Sequence, residues 1–140
     1  MNPERSVSPD PLEIVRQFND CINRQDLDGL AALMTDDHAL IDSSAEVHAG
    51  KTLMLESWKE FFKSYPDYKN HFKYYEVKGE QVHILGFSSC SFDPLDGPAI
   101  WTARVRGNQV SEWRVYLDNP ENRQALDLPL DPGSPVDQVP

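Results

Sequence analysis

The sequence predicts an α+β domain in which a curved antiparallel sheet wraps around three N-terminal helices. Three observations point there. Apolar residues at helical spacing fill the first half of the chain, period-two alternation fills the second, and the last long strands are joined by turns too short for crossover helices. At 140 residues there is room for one domain and one core.

The first helix opens at Asp10-Pro11-Leu12-Glu13: Asp10 can cap, Pro11 suits the first helical position and Glu13 completes a capping box. Ile14, Val15, Phe18, Cys21 and Ile22 follow at helical spacing. A short second helix over 27–34 carries Leu27, Leu30, Leu33 and Met34. A third, over 52–65, sets Leu55, Trp58, Phe61, Phe62 and Tyr65 on one side and is stopped by Pro66. Strands are expected over 38–42, 45–48, 71–78, 82–92, 99–106 and 109–117. The breaks fall at Gly79-Glu80, at 93–98 and at Gly107-Asn108, a two-residue hairpin signal. The domain spans 10–118, between a polar N-terminal tail over 1–9 and a Pro-rich, acidic C-terminal tail over 119–140, both expected to be extended and partly mobile.

A net charge of −10 and an isoelectric point near 4.7 argue against nucleic acid or an anionic membrane as partner, because both attract basic patches. No window nears the roughly 20 apolar residues of a membrane helix, and residues 1–10 lack the apolar stretch of a secretory signal. A cytoplasmic chain is expected, with Cys21 and Cys90 as buried free thiols. The four histidines, His38, His48, His71 and His83, show no helical metal-ligand spacing, so neither a metal nor a cofactor is expected.

Alternation sorts the sheet faces. Trp113, Val115 and Leu117 share one side of the last strand, and Trp101, Ala103 and Val105 one side of the strand before it. In 82–92 the two sides are Ile84, Gly86, Ser88, Cys90 and His83, Leu85, Phe87, both partly apolar. An outer face of that kind suggests a homodimer through the sheet.

Three stretches, Thr35-Asp36-Asp37-His38-Ala39-Leu40-Ile41-Asp42, Ala49-Gly50-Lys51-Thr52-Leu53 with Tyr65-Pro66-Asp67, and Trp113-Arg114-Val115-Tyr116-Leu117-Asp118, stand in an order that resembles the nuclear-transport-factor-2-like superfamily. Its fold is a cone-shaped α+β barrel shared by SnoaL-like cyclases, ketosteroid isomerases and limonene-epoxide-hydrolase-like proteins. The last stretch, with Ala125-Leu126-Asp127-Leu128-Pro129-Leu130, is similar to the hydrolase-like branch. That branch opens epoxides with an Asp-Arg-Asp set helped by Tyr and Asn, and those positions fall here on Val115, Gly86, Ser88, Leu40 and Asp42, so the polar machinery is missing. In the isomerases the base matches Asp42, but Phe18 takes the place of the oxyanion-hole tyrosine and no acid stands near 99–102.

What remains is a lone acid, Asp42, which shares its strand parity with Leu40 and so faces an apolar interior. Desolvation there would raise its pKa and suit it to acid/base work in an isomerase- or cyclase-type proton transfer. A strand-end carboxylate bonded to the backbone of Ser43, Ser44 or the next turn explains it as well. Leu40, Trp58, Trp101, Trp113, Val115 and Leu117 would line a pocket for a small, mainly hydrophobic molecule, with Ser88, Cys90 and Gly86 leaving space; the tryptophans equally suit core packing. The alternative function is a non-catalytic accessory or protein-interaction domain that uses the outer sheet face.

Overall fold

Helix α1 (Pro11–Arg24) begins where Asp10 accepts a hydrogen bond from the Leu12 amide at 3.1 Å, and ends where Gln25 enters the left-handed region. Its apolar stripe is buried through Ile14, Val15, Phe18 and Ile22. The computed structural model describes residues 10–129. Helix α2 (Leu27–Leu33), capped by Asp26 on the Gly29 amide, runs without a loop into β1 (Met34–Ile41). That strand starts four residues before the expected one, because a register shift between Met34 and Ala39 hides the first residues from period-two counting.

A short return strand, β2 (Val47–Ala49), leads into α3 (Lys51–Ser64), and four long strands follow: β3 (Lys69–Lys78), β4 (Gln81–Ser89), β5 (Gly97–Arg106) and β6 (Gln109–Tyr116). They form one six-stranded curved sheet in the order β2-β1-β6-β5-β4-β3. All neighbours are antiparallel except β1 with β6, a parallel pair that the chain reaches by passing through α3 and the β3–β5 meander. The core lies between the helices and the inner face. There Phe18, Ile22, Leu30, Met54, Trp58 and Phe62 meet Val82, Ile84, Trp101, Ala103, Val110 and Trp113. Both cysteines are free and buried, as the composition suggests.

Two expectations need correction. Gly86 does not open space in the interior: a Cβ there would stand 2.0 Å from the His71 carbonyl oxygen, so the glycine lets β3 and β4 approach across the irregular register at Phe72 and Tyr74. The C-terminal segment, as far as it is described, is not extended. Helix α4 (Pro120–Ala125) is capped by Asn119, Arg123 makes a two-pronged bond to Asp118 at 2.6 and 2.9 Å, and Leu126 and Leu128 pack with Ile100, Tyr74, Leu85 and Tyr116 on the outer face. His83 joins them through the Leu126 carbonyl at 2.8 Å. Part of the apolar outer face is therefore covered by the chain itself. Residues 1–9 and 130–140 of the expected tails lie outside the described residues. Among the described residues no helix is long and apolar enough to cross a membrane.

Candidate functional site

A cavity of about 380 Å³ opens beside α3. Its apolar wall comes from Leu40 on β1, Met54, Trp58 and Phe61 on α3, and Trp113 and Val115 on β6. Register explains the sheet side: Leu40 pairs with Trp113 across the parallel seam and with His48 across the β1–β2 hairpin, so these three side chains share a face. Tyr68 and Leu95 complete the lining, and Asp42, Ser43, His48, Ser57 and the Tyr68 hydroxyl are its polar groups.

Asp42 follows the last residue of β1 and organises the turn into β2. Its Oδ1 accepts from the amides of Ser44 at 2.9 Å and Glu46 at 3.0 Å, and its Oδ2 stands 3.2 Å from His48 Nε2. Ala45 takes a left-handed φ of 68° to let the turn close. The turn-capping explanation of Asp42 thus describes what its carboxylate does in the fold, and the same residue borders the cavity. Its acidity differs from expectation. The Glu46 amide and then His48 hold the carboxyl below its ordinary value, and burial, which acts the other way, is the weaker influence because the side chain is 37 % exposed. Asp42 is an ionised acceptor at neutral pH.

The side-chain partner of Asp42 is His48. His38 is fully buried, tilted against the Phe18 ring at 5.5 Å, with Nδ1 bonded to the Val110 carbonyl at 2.7 Å. Asp42, Glu46 and His48 together bring one ligand atom each within 4.8 Å of one another, the donor set in the described residues that could hold a cation. Sequence spacing did not suggest it, because the hairpin closes only in three dimensions.

Of the expected lining residues, Leu40, Trp58, Trp113 and Val115 are in the wall and Ser88, Cys90, Trp101 and Leu117 are not. Trp101 lies in the core against Phe72, at 5.6 Å between ring centroids. Ser88 faces inward but is spent on Asn70 and Tyr68. Strand β4 ends at Ser89, so parity no longer governs Cys90, whose thiol donates to Asp67 at 3.5 Å. Leu117 lies one residue past β6 and is 62 % exposed. Met54 and Phe61 were legible as helical neighbours of Trp58. Tyr68 stands in a loop and Leu95 in a single 3-10 turn (Asp93–Leu95), where periodicity gives no signal.

Residues 15–115 match the family described as the SnoaL-like domain. Among solved structures the chain is similar to an LEH-like epoxide hydrolase from M. tuberculosis, at 16 % identity over 83 % of this chain and 86 % of that one, with a TM-score of 0.69. It is also similar to a candidate polyketide cyclase from Sinorhizobium meliloti, at 16 % over 81 % and 99 % with 0.66, and to an uncharacterized cystatin-fold protein from Novosphingobium aromaticivorans, at 20 % over 78 % and 99 % with 0.68. At such identities the likeness concerns the fold alone. No curated protein sequence matches the chain.

Proposed function

The chain belongs to the SnoaL-like domain family, and from that premise we propose that it binds a small, mainly hydrophobic molecule in the cavity beside α3, with Asp42 and His48 as a proton-transfer pair of isomerase or cyclase type. The observation that carries the reading is the cavity itself: an apolar wall on α3, β1 and β6 with a carboxylate–imidazole pair in the lining. An ionised Asp42 accepts from His48 Nε2–H and leaves Nδ1 as the basic nitrogen, so the carboxylate orients the imidazole while the imidazole moves the proton. In the hydrolase comparison the acid of the last strand is replaced by Val115, which has no proton to give or take, so water attack on an epoxide is not part of the proposal.

We place the protein in the cytoplasm on the strength of its two unpaired cysteines and its composition. The outer-face reading, whether a homodimer or an accessory domain, has less apolar surface to use than the sequence suggests. Leu126 and Leu128 cover Ile100 and Leu85, leaving Phe87, 38 % exposed, as the main apolar group of that face on β4.

The test is ligand retention. Native mass spectrometry of the purified protein with a metabolite extract is expected to show a retained compound that is lost in Val115→Trp, where an indole fills the cavity. Asp42→Asn and His48→Gln are expected to keep binding and lower any turnover found by about 100-fold or more. If no compound is retained, or if retention is indifferent to Val115→Trp, the cavity is not a binding site.

A further inference from the structure

The polar end of the cavity has a direction. Tyr68, one of its wall residues, has its hydroxyl 3.2 Å from Ser88 Oγ, and distance alone leaves the donor open. The network behind decides it. The Asn70 backbone carbonyl can only accept, and it takes bonds from Asn19 Nδ2 at 3.3 Å and Asn23 Nδ2 at 3.0 Å. With Asn19 Nδ2 so committed, Asn19 Oδ1 must be the atom that faces the Asn70 side chain, and it accepts from Asn70 Nδ2 at 3.3 Å. Asn70 Oδ1 is then turned to Ser88, whose single hydroxyl hydrogen goes to it at 2.8 Å. The Asn70 amide, bonded to Asn23 Oδ1 at 2.8 Å, fixes Asn23 in the same sense. Ser88 has no hydrogen left for Tyr68, so Tyr68 donates and only a lone pair remains on its oxygen.

The other end of the polar lining has the same sign. The Asp42 carboxylate presents oxygens that accept from the Ser44 and Glu46 amides, with Oδ2 3.2 Å from His48 Nε2. Ser43 and Ser57 have hydroxyls that rotate to either role and so favour neither class of ligand.

We propose that the cavity selects ligands whose polar groups are hydrogen-bond donors, hydroxyls or amines on an apolar body, and rejects carboxylates and ethers, with Tyr68 held as an acceptor by the Ser88–Asn70–Asn19 relay. This rests on the cavity being a binding site, as proposed above. Burial pushes the Tyr68 phenol above its ordinary value of 10, with the hydrogen bonds to Ser88 and Asn70 acting more weakly the other way, so the hydroxyl keeps its hydrogen. The net charge of −10 acts in the same direction against anionic ligands.

The experiment titrates 2-naphthol, 2-methoxynaphthalene and 2-naphthoate by ligand-observed NMR. Expected is 2-naphthol binding about fivefold or more tightly than the methyl ether, the worth of one net hydrogen bond, with the naphthoate weakest. Tyr68→Phe is expected to bring naphthol and ether within about twofold. Ser88→Ala removes the acceptor behind Tyr68 and frees its hydrogen to turn inward, so the preference is expected to move toward the ether. This second variant reads the polarity by a change of sign, which a loss of packing would not produce. Equal binding of naphthol and ether in the unsubstituted protein, tightest binding of the naphthoate, or a Ser88→Ala variant with unchanged preference overturns the donor rule and leaves the cavity reading standing. Probe binding that survives Val115→Trp, or no binding of any probe, overturns both.

Discussion

His38 donates its Nδ1 hydrogen to the Val110 carbonyl, while Nε2 has no hydrogen-bond partner among the described residues. Burial pulls its pKa below the ordinary 6.5; the Val110 carbonyl and, more weakly, Asp37 on the same strand act the other way. The folded state therefore holds the imidazole neutral while the unfolded chain protonates it, so stability is complete above about pH 6.5 and falls as the pH drops below it, levelling once the folded pKa is passed. Urea midpoints followed from neutral to mildly acidic pH are expected to show this slope, and His38→Gln is expected to remove its share of it; an unchanged slope would mean that the ring does not titrate between the two states. Gly86 is a residue-scale constraint of another kind. Its missing Cβ would lie 2.0 Å from a backbone oxygen that no side-chain rotation can move, so Gly86→Ala is expected to cost about 3 kcal/mol by thermal or urea unfolding. That role was invisible in the sequence, where Gly86 stood in an inward row and suggested room. The close approach depends on the backbone of β3, which parity within β4 does not record.

Helix α4 shows what an element can be when propensity is not its support. Six residues do not hold a helix in water. It is held at its N-terminus by Asn119 on the Asn122 amide, and by Arg123, whose side chain is 9 % exposed against an Asp118 of 11 % and also reaches the Pro129 carbonyl at 2.9 Å. Removing one partner of so enclosed a pair strands the other, and Arg123→Ala is expected to destabilise by about 3 kcal/mol in denaturant titration. The Lys78–Asp127 pair nearby is open to water, and Lys78→Ala is expected to produce no measurable change. The two substitutions remove a cation near the same segment, so comparing them separates enclosure from charge. From sequence the prolines and acids here suggested a tail. The two leucines at 126 and 128 carry the opposite signal, but it has meaning only once an apolar sheet face lies opposite them.

At the scale of the whole molecule, the sheet is the surface shared by two packing problems. Its inner face meets α1, α2 and α3 in the main core, and its outer face meets the segment after β6 in a smaller cluster. Each buried leucine of that segment contributes roughly 2 kcal/mol to holding it on the outer face. The double substitution Leu126→Asp, Leu128→Asp is expected to undock the segment and uncover Ile100, Leu85 and Tyr116, raising the weight-average mass in sedimentation velocity relative to the unsubstituted chain. An unchanged mass would show that this face is not adhesive once bare.

The amino-acid order alone determined the α+β architecture, the inward faces of β5 and β6 and the apolar side of α3, because each depends on spacing within one element, which periodicity records. It drew attention to Asp42 by extending the parity of Leu40 one residue too far: β1 ends at Ile41, and the turn into β2 sets where the carboxylate stands. Only the tertiary structure decided that Asp42 is ionised and paired with His48, that Tyr68 rather than Ser88 or Cys90 reaches the cavity, and that the C-terminal segment covers the outer face. Those outcomes depend on which loop ends beside which strand and on where a register slips. Such distances through space leave no period in the chain.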